Sequence, residues 1–117
     1  MITGTHVVVY SRDAEADRAF FRDVLAYPHV DAGHGWLIFR LPPAELAVHP
    51  GGEDKLELYL TCDDIEHTVQ TLTARSVEFT QPVTEQRWGR ATAFRLPGGT
   101  QIGLYEPRHP TAHDLDT

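Results

Sequence analysis

Only one cysteine, Cys62, occurs in 117 residues, so no disulfide can form within the chain. The fold must then be held by its core, and a reducing, cytoplasmic setting is expected. Long apolar runs are missing as well. The opening MITGTHVVVY carries a short apolar run and no basic start, so it is expected to be neither a signal peptide nor a membrane span. Basic clusters are scarce: ten Lys and Arg stand against seventeen Asp and Glu, for a net charge of −7. That balance argues against a nucleic acid or an anionic membrane as partner. No glycine-rich phosphate loop is present. Ser11 and Ser76 lack a His–carboxylate pattern, and Cys62 has no basic neighbour to lower its pKa, which removes the usual nucleophile chemistries. With 41% hydrophobic and 23% charged residues, the chain is an ordinary globular composition of one-domain length.

What the chain does contain is a repeat. Phe-Arg-Leu-Pro occurs twice, beginning at Phe39 and at Phe94. Upstream, THVVVYSRD (Thr5 to Asp13) aligns with LELYLTCDD (Leu56 to Asp64), each an apolar strand running into an acidic helix start. Two matches in the same order, at a spacing of roughly fifty residues, indicate a duplicated supersecondary unit. In the first half, HVVVY is a β-branched strand. Asp13 is placed to cap a helix in which Ala16, Phe20 and Val24 share a face, and Pro28 ends it. HVDAG is a weak strand, GWLIFRL a stronger one, and Pro42-Pro43 turns the chain into AELAVH. In the second half ELYLTC leads to a helix with Asp63 and Glu66 as a capping box and Ile65, Val69 and Leu72 on its apolar face. VEFTQPV, RATAFRL and, after Gly98-Gly99, TQIGLYE complete it. The order is β-α-β-β-β, twice. One domain spans residues 1–107, built of repeats 4–50 and 55–107, with a polar tail at 108–117. A ferredoxin-like βαββαβ dimer is the alternative, should the tandem hairpins be misread.

WGRATAFRLPGGTQIGLYEP, with its Trp-Gly, its strand ending in Phe-Arg and its glycine turn into a last strand, resembles the closing stretch of the vicinal oxygen chelate superfamily, also called the glyoxalase/bleomycin resistance/dioxygenase fold. The resemblance covers about residues 4 to 107. It implies an α+β fold of two tandem βαβββ modules, with curved mixed sheets around a cleft, commonly in a homodimer.

Strand alternation then sorts side chains between helix and cleft. On the first strand Val7 and Val9 suit the helix side, leaving His6, Val8 and Tyr10 inward. Glu57, Tyr59 and Thr61 face inward from the equivalent strand. The last strand buries Ile102 and Leu104 and turns Gln101, Gly103 and Tyr105 to the cleft; AELAVH packs Leu46 and Val48 and offers Glu45, Ala47 and His49. Trp36, of opposite parity to Leu37 and Phe39, is a candidate cavity aromatic, and the register of Trp88 stays open beside Gly89. Arg40 and Arg95 read as rim residues, Glu106 as solvated, and His29, His34, His67, His109 and His113 as surface or tail histidines.

Metal-dependent members of the family place ligands at four strand positions. The resemblance maps these onto His6, the neighbourhood of Ala47, Glu57 and Gly103. His6 and Glu57 are the metal candidates, with Glu45 or His49 as substitutes two residues from Ala47. Gly103 stands where the family's final glutamate falls, so the second hairpin keeps its turn and packing but lacks the carboxylate. Two readings follow. In the first, the chain binds or sequesters a small, planar or cationic molecule through Tyr10, Trp36, Glu45, His49, Tyr59 and Tyr105, with no resident cofactor. In the second, a divalent metal ion serves a lyase, isomerase or extradiol-type dioxygenase, with His6, Glu45 and Glu57 for proton transfer. The depleted ligand set favours binding.

Overall fold

The computed structural model describes residues 6–47, 50 and 55–112. Asp13 caps helix α1 (Ala14–Ala19), its carboxylate accepting the Ala16 N–H at 3.1 Å. Glu15 and Asp17 in the first turn suit the helix dipole. The helix then widens into a π-helical turn, Phe20–Val24. Phe20 enters the core, while its neighbour Phe21 meets Phe20 edge-on and packs beside Phe39. Arg75 donates to the Val24 carbonyl at 2.9 Å and so holds the end of this turn. Strands β1 (His29–Asp31) and β2 (Leu37–Phe39) form an antiparallel pair, which makes the weakly patterned HVDAG a real strand.

The second sheet is the scaffold of the molecule. Strand β3 (Tyr59–Thr61) runs parallel to β7 (Gln101–Pro107), which pairs antiparallel with β6 (Gly89–Arg95). On its other edge β6 takes β4 (Glu78–Phe79) and β5 (Thr84–Gln86). Helix α2 (Ile65–Ala74) connects β3 to β4. Its cap is Asp64, accepting the His67 N–H at 3.1 Å, one residue after the capping box expected at Asp63. Asp13 and Asp64 are aligned in the duplication, so the two halves start their helices with the same device.

The core lies between α1, α2 and one face of this sheet. Ile65 and Phe94 are fully buried, and Leu96, Ile102 and Leu104 nearly so. Each such side chain contributes on the order of 1.5–3 kcal/mol by burial. Asp17 is also buried, and its carboxylate accepts the Gly98 N–H at 2.7 Å, fastening α1 to the β6–β7 turn. A side chain at Gly98 would overlap Ser11 Oγ, which is why the turn carries glycine there.

The first module departs from its expected strands. Residues 6–10 and 44–47 lie in no strand ladder among the described residues. Val7 and Val8 are more than half exposed and Tyr10 is 90% exposed; of this segment only Val9 packs on the core. The helix-side position read for Val7 is therefore corrected, and Tyr10 stands open to solvent. A ladder needs a partner for its N–H and C=O groups. In the second module β7 supplies that partner to β3. The first-module counterpart runs through Glu45–Ala47 into positions outside the described residues.

Candidate functional site

The alternation of β7 separates packing from a second, open face. Ile102 and Leu104 enter the core, so Gly103 and Tyr105 point the other way. The parallel register sets Tyr59 beside Gly103 and Thr61 beside Tyr105. Trp88 joins them from the β5–β6 turn. Gly89, at φ 150°, lets that turn close on β7, since a Cβ there would overlap the Glu106 carbonyl. The Trp88 carbonyl in turn accepts the Arg108 N–H at 2.9 Å. The position of Trp88, open from the sequence, is thereby fixed over Tyr105.

Three rings meet at near right angles. Ring centroids are 5.6 Å apart for Tyr59–Tyr105, 5.1 Å for Trp88–Tyr105 and 6.2 Å for Tyr59–Trp88, each pair at 84°. Such edge-to-face pairs stabilise one another by about 0.5–1.5 kcal/mol each. The cluster is not closed over: Tyr59 is 40% and Trp88 37% exposed. Carboxylates flank it. Tyr105 Oη donates to Glu45 Oε1 at 3.3 Å, and Glu45 Oε2 accepts the Ala112 N–H at 2.7 Å. Glu57 stands close enough to Tyr59 to act on its phenol and pairs with Lys55 at 3.9 Å. Burial first, and then the neighbouring carboxylate, pushes each phenol's pKa up: Glu45 acts on Tyr105 and Glu57 on Tyr59. Both hydroxyls therefore stay protonated donors at neutral pH.

Of the residues singled out in the sequence, Tyr59, Tyr105 and Glu45 come together, with Glu57 at the margin. Trp36 does not join them. It is exposed, with the Arg18 guanidinium 4.9 Å over its ring, and among the described residues no ring contact links it to the trio. It precedes β2 in the two-stranded sheet, apart from the strands that carry the trio. Tyr10 sits on the unladdered segment and makes no ring contact among the described residues. His49 lies outside the described residues. His109 and Glu106 were underestimated. Glu106 Oε1 accepts the Ile65 N–H at 3.0 Å, closing the start of α2 rather than facing solvent. His109 lies against Tyr105, ring centroids 6.0 Å apart. A histidine two residues beyond a strand carries no periodic signal that would have placed it.

The donors do not fit the family's metal. Of the four mapped positions, His6 and Glu57 carry ligating groups and Ala47 and Gly103 do not. Gly103 is also not a vacancy that a carboxylate could refill, because a Cβ there would run into the Tyr59 ring. Among the described residues no three His, Cys, Asp or Glu side chains gather in a metal-binding arrangement. Burial raises the Cys62 thiol pKa, and Glu106, Asp63 and Asp64 push the same way against an opposing effect of Thr68, so the thiol stays protonated at neutral pH.

The family model for the Glyoxalase/Bleomycin resistance protein/Dioxygenase superfamily matches residues 5–104. No curated protein sequence matches the chain. Solved structures share the fold. Lactoylglutathione lyase from Agrobacterium tumefaciens superposes with a TM-score of 0.65 at 17% identity, over 89% of this chain and 92% of that one. TnmS3, an antibiotic binding protein from Streptomyces sp. CB03234, gives 0.59 at 23% identity, over 92% and 99%. The fosfomycin resistance protein FosX from Listeria monocytogenes gives 0.60 at 14% identity, over 98% and 100%.

Proposed function

Because the chain belongs to the glyoxalase/bleomycin resistance protein/dioxygenase superfamily, and because an aromatic ring covers the position of that family's last metal carboxylate, we propose that it binds a planar, cationic small molecule on the Tyr59–Trp88–Tyr105 face. The placement of Tyr59 over Gly103 carries this reading. It exchanges a ligating oxygen for a π-face, at a site flanked by Glu45 and Glu57 on a chain of net charge −7. Rings and carboxylates together attract a flat cation by about 1–3 kcal/mol beyond shape. That a protein of this fold is named as an antibiotic binding protein supports the class of function. The test is fluorescence titration with ethidium and methylene blue. Saturable quenching that Tyr105→Ala abolishes is expected; no saturable binding by either dye would defeat the proposal.

The reading extends to assembly and compartment. Tyr10, Leu46 and Leu56 are apolar and almost fully exposed, and Val7 and Val8 are more than half exposed, more large apolar side chains than a lone chain of this size needs to leave in water. We take a second copy of the chain to cover it. Light scattering should give a homodimer; a stable species of 13.1 kDa at micromolar concentration contradicts this. Among the described residues no helix is long and apolar enough to cross a membrane. A cytoplasmic location belongs to the same proposal and rests on the lone, part-buried Cys62.

The metal-dependent lyase, isomerase or dioxygenase reading makes the opposite forecast for chelation. Stabilisation by a bound ion requires tight binding to the native state. With Ala47 and Gly103 at two of four positions, EDTA is expected to leave the melting temperature unchanged. One divalent ion per chain, lost on His6→Ala, would restore the enzyme reading.

A further inference from the structure

Beyond β7 the chain turns back over the aromatic site. Residues 108–112 follow the stretch 5–104 that the family model matches, belong to no strand, and are none of them buried. Two of them touch the residues assigned to the ligand. The His109 ring lies 6.0 Å from that of Tyr105 and 35° from parallel, whereas Tyr59 and Trp88 meet Tyr105 edge-on at 84°. Of these three neighbours His109 lies nearest to flat, as a planar ligand does when it stacks. The Ala112 N–H donates to Glu45 Oε2 at 2.7 Å, the length of a charge-assisted hydrogen bond. Oε1 of the same carboxylate accepts from Tyr105 Oη, and the Glu45 side chain is left only 19% exposed.

We propose that residues 109–112 form a strap that competes with the ligand for its site, the His109 ring taking the place on Tyr105 and the Ala112 N–H the place on Glu45. The inference rests on the proposed ligand face and adds its regulation. Each contact has its counterpart in a planar cation: the imidazole stands in for the flat ring, and the N–H dipole for the positive charge. Arg108 is the fixed end of the strap, its side chain paired with Glu85 at 2.8 Å and its N–H donating to the Trp88 carbonyl. Past that point the segment borders an open hollow of about 520 Å³, with Thr61, Cys62 and Asp63 across from His109 and Thr111. A segment with no buried residue and a hollow beside it opens locally at small cost. A cation is a stronger partner for Glu45 than a neutral amide, so a planar cation displaces the strap from both contacts. The apparent affinity is lowered in proportion to the fraction of molecules that stand open.

The experiment titrates ethidium into the full chain and into His109→Ala, Ala112→Pro and the double variant. Proline removes the amide donor to Glu45, and neither position is buried. Each single change is expected to tighten binding by about threefold and the pair by about tenfold, as the closed state is lost. In a Glu45→Gln background binding should be weaker, and Ala112→Pro should then change nothing, because the carboxylate that it releases is gone. A gain that persists without Glu45 would mean a general loosening of the segment and overturns the strap. Unchanged or weaker binding in the double variant, with the parent chain binding ethidium, overturns the strap and leaves the ligand face in place. Ethidium that binds neither the parent chain nor the double variant defeats the ligand face, and the strap with it.

Discussion

Phe94→Ala is expected to cost about 3–5 kcal/mol of stability, while Tyr105→Ala, a comparable truncation on the neighbouring strand, should cost only about 1–2 kcal/mol. The difference follows from which face each residue occupies. Phe94 is fully buried, contacts Phe20 and Phe79, and leaves a cavity that its neighbours cannot fill. Tyr105 has one side open, and its loss removes ring contacts with Tyr59, Trp88 and His109 and one hydrogen bond to the Glu45 carboxylate. Urea unfolding of both variants measures the contrast. Equal losses would mean that the aromatic face is a second core, and the binding assignment would fall with it.

Gly103→Ala carries the second large effect. Gly103 has no positive φ, so alanine meets no backbone strain and on propensity alone should gain slightly in a strand. The added Cβ nevertheless runs into the Tyr59 ring, and forcing that ring off β7 is expected to cost about 1–3 kcal/mol and to weaken dye binding. In a Tyr59→Ala background the same Gly103→Ala change should become neutral or stabilising. That is a coupling of about 0.5–3 kcal/mol between the two positions. Additive losses in the double variant would show that Gly103 is needed for some reason other than the ring. Gly103→Glu is expected to recruit no metal while Tyr59 remains.

The second half of the fold was legible because its signals are local and agree with one another. A strand, an acidic helix start and a glycine turn between alternating strands each have a short-range physical cause, and β3, α2, β6 and β7 form where those causes coincide. Tyr59 and Tyr105 were readable for the same reason, since parity along a strand assigns a face. Parity could not place Trp88, because a turn breaks the alternation and only the close approach of Gly89 to Glu106 sets it. It could not tell that Trp36 stands apart from the trio, because alternation gives a face but not the sheet to which a strand belongs. His109 was out of reach, since its partners Tyr105 and Glu45 are brought together by tertiary contact alone. The capping of α2 by Glu106 is another long-range meeting of this kind.

The central claim is that a ligand sits on the Tyr59–Trp88–Tyr105 face. Two-dimensional NMR of the full chain during ethidium titration tests it directly, because the protein has two indole N–H groups in separate places. The account predicts that the Trp88 indole and the Tyr59 and Tyr105 ring resonances shift together and saturate, while the Trp36 indole beside Arg18 stays still. Saturating shifts at Trp36 with Trp88 unmoved would contradict it.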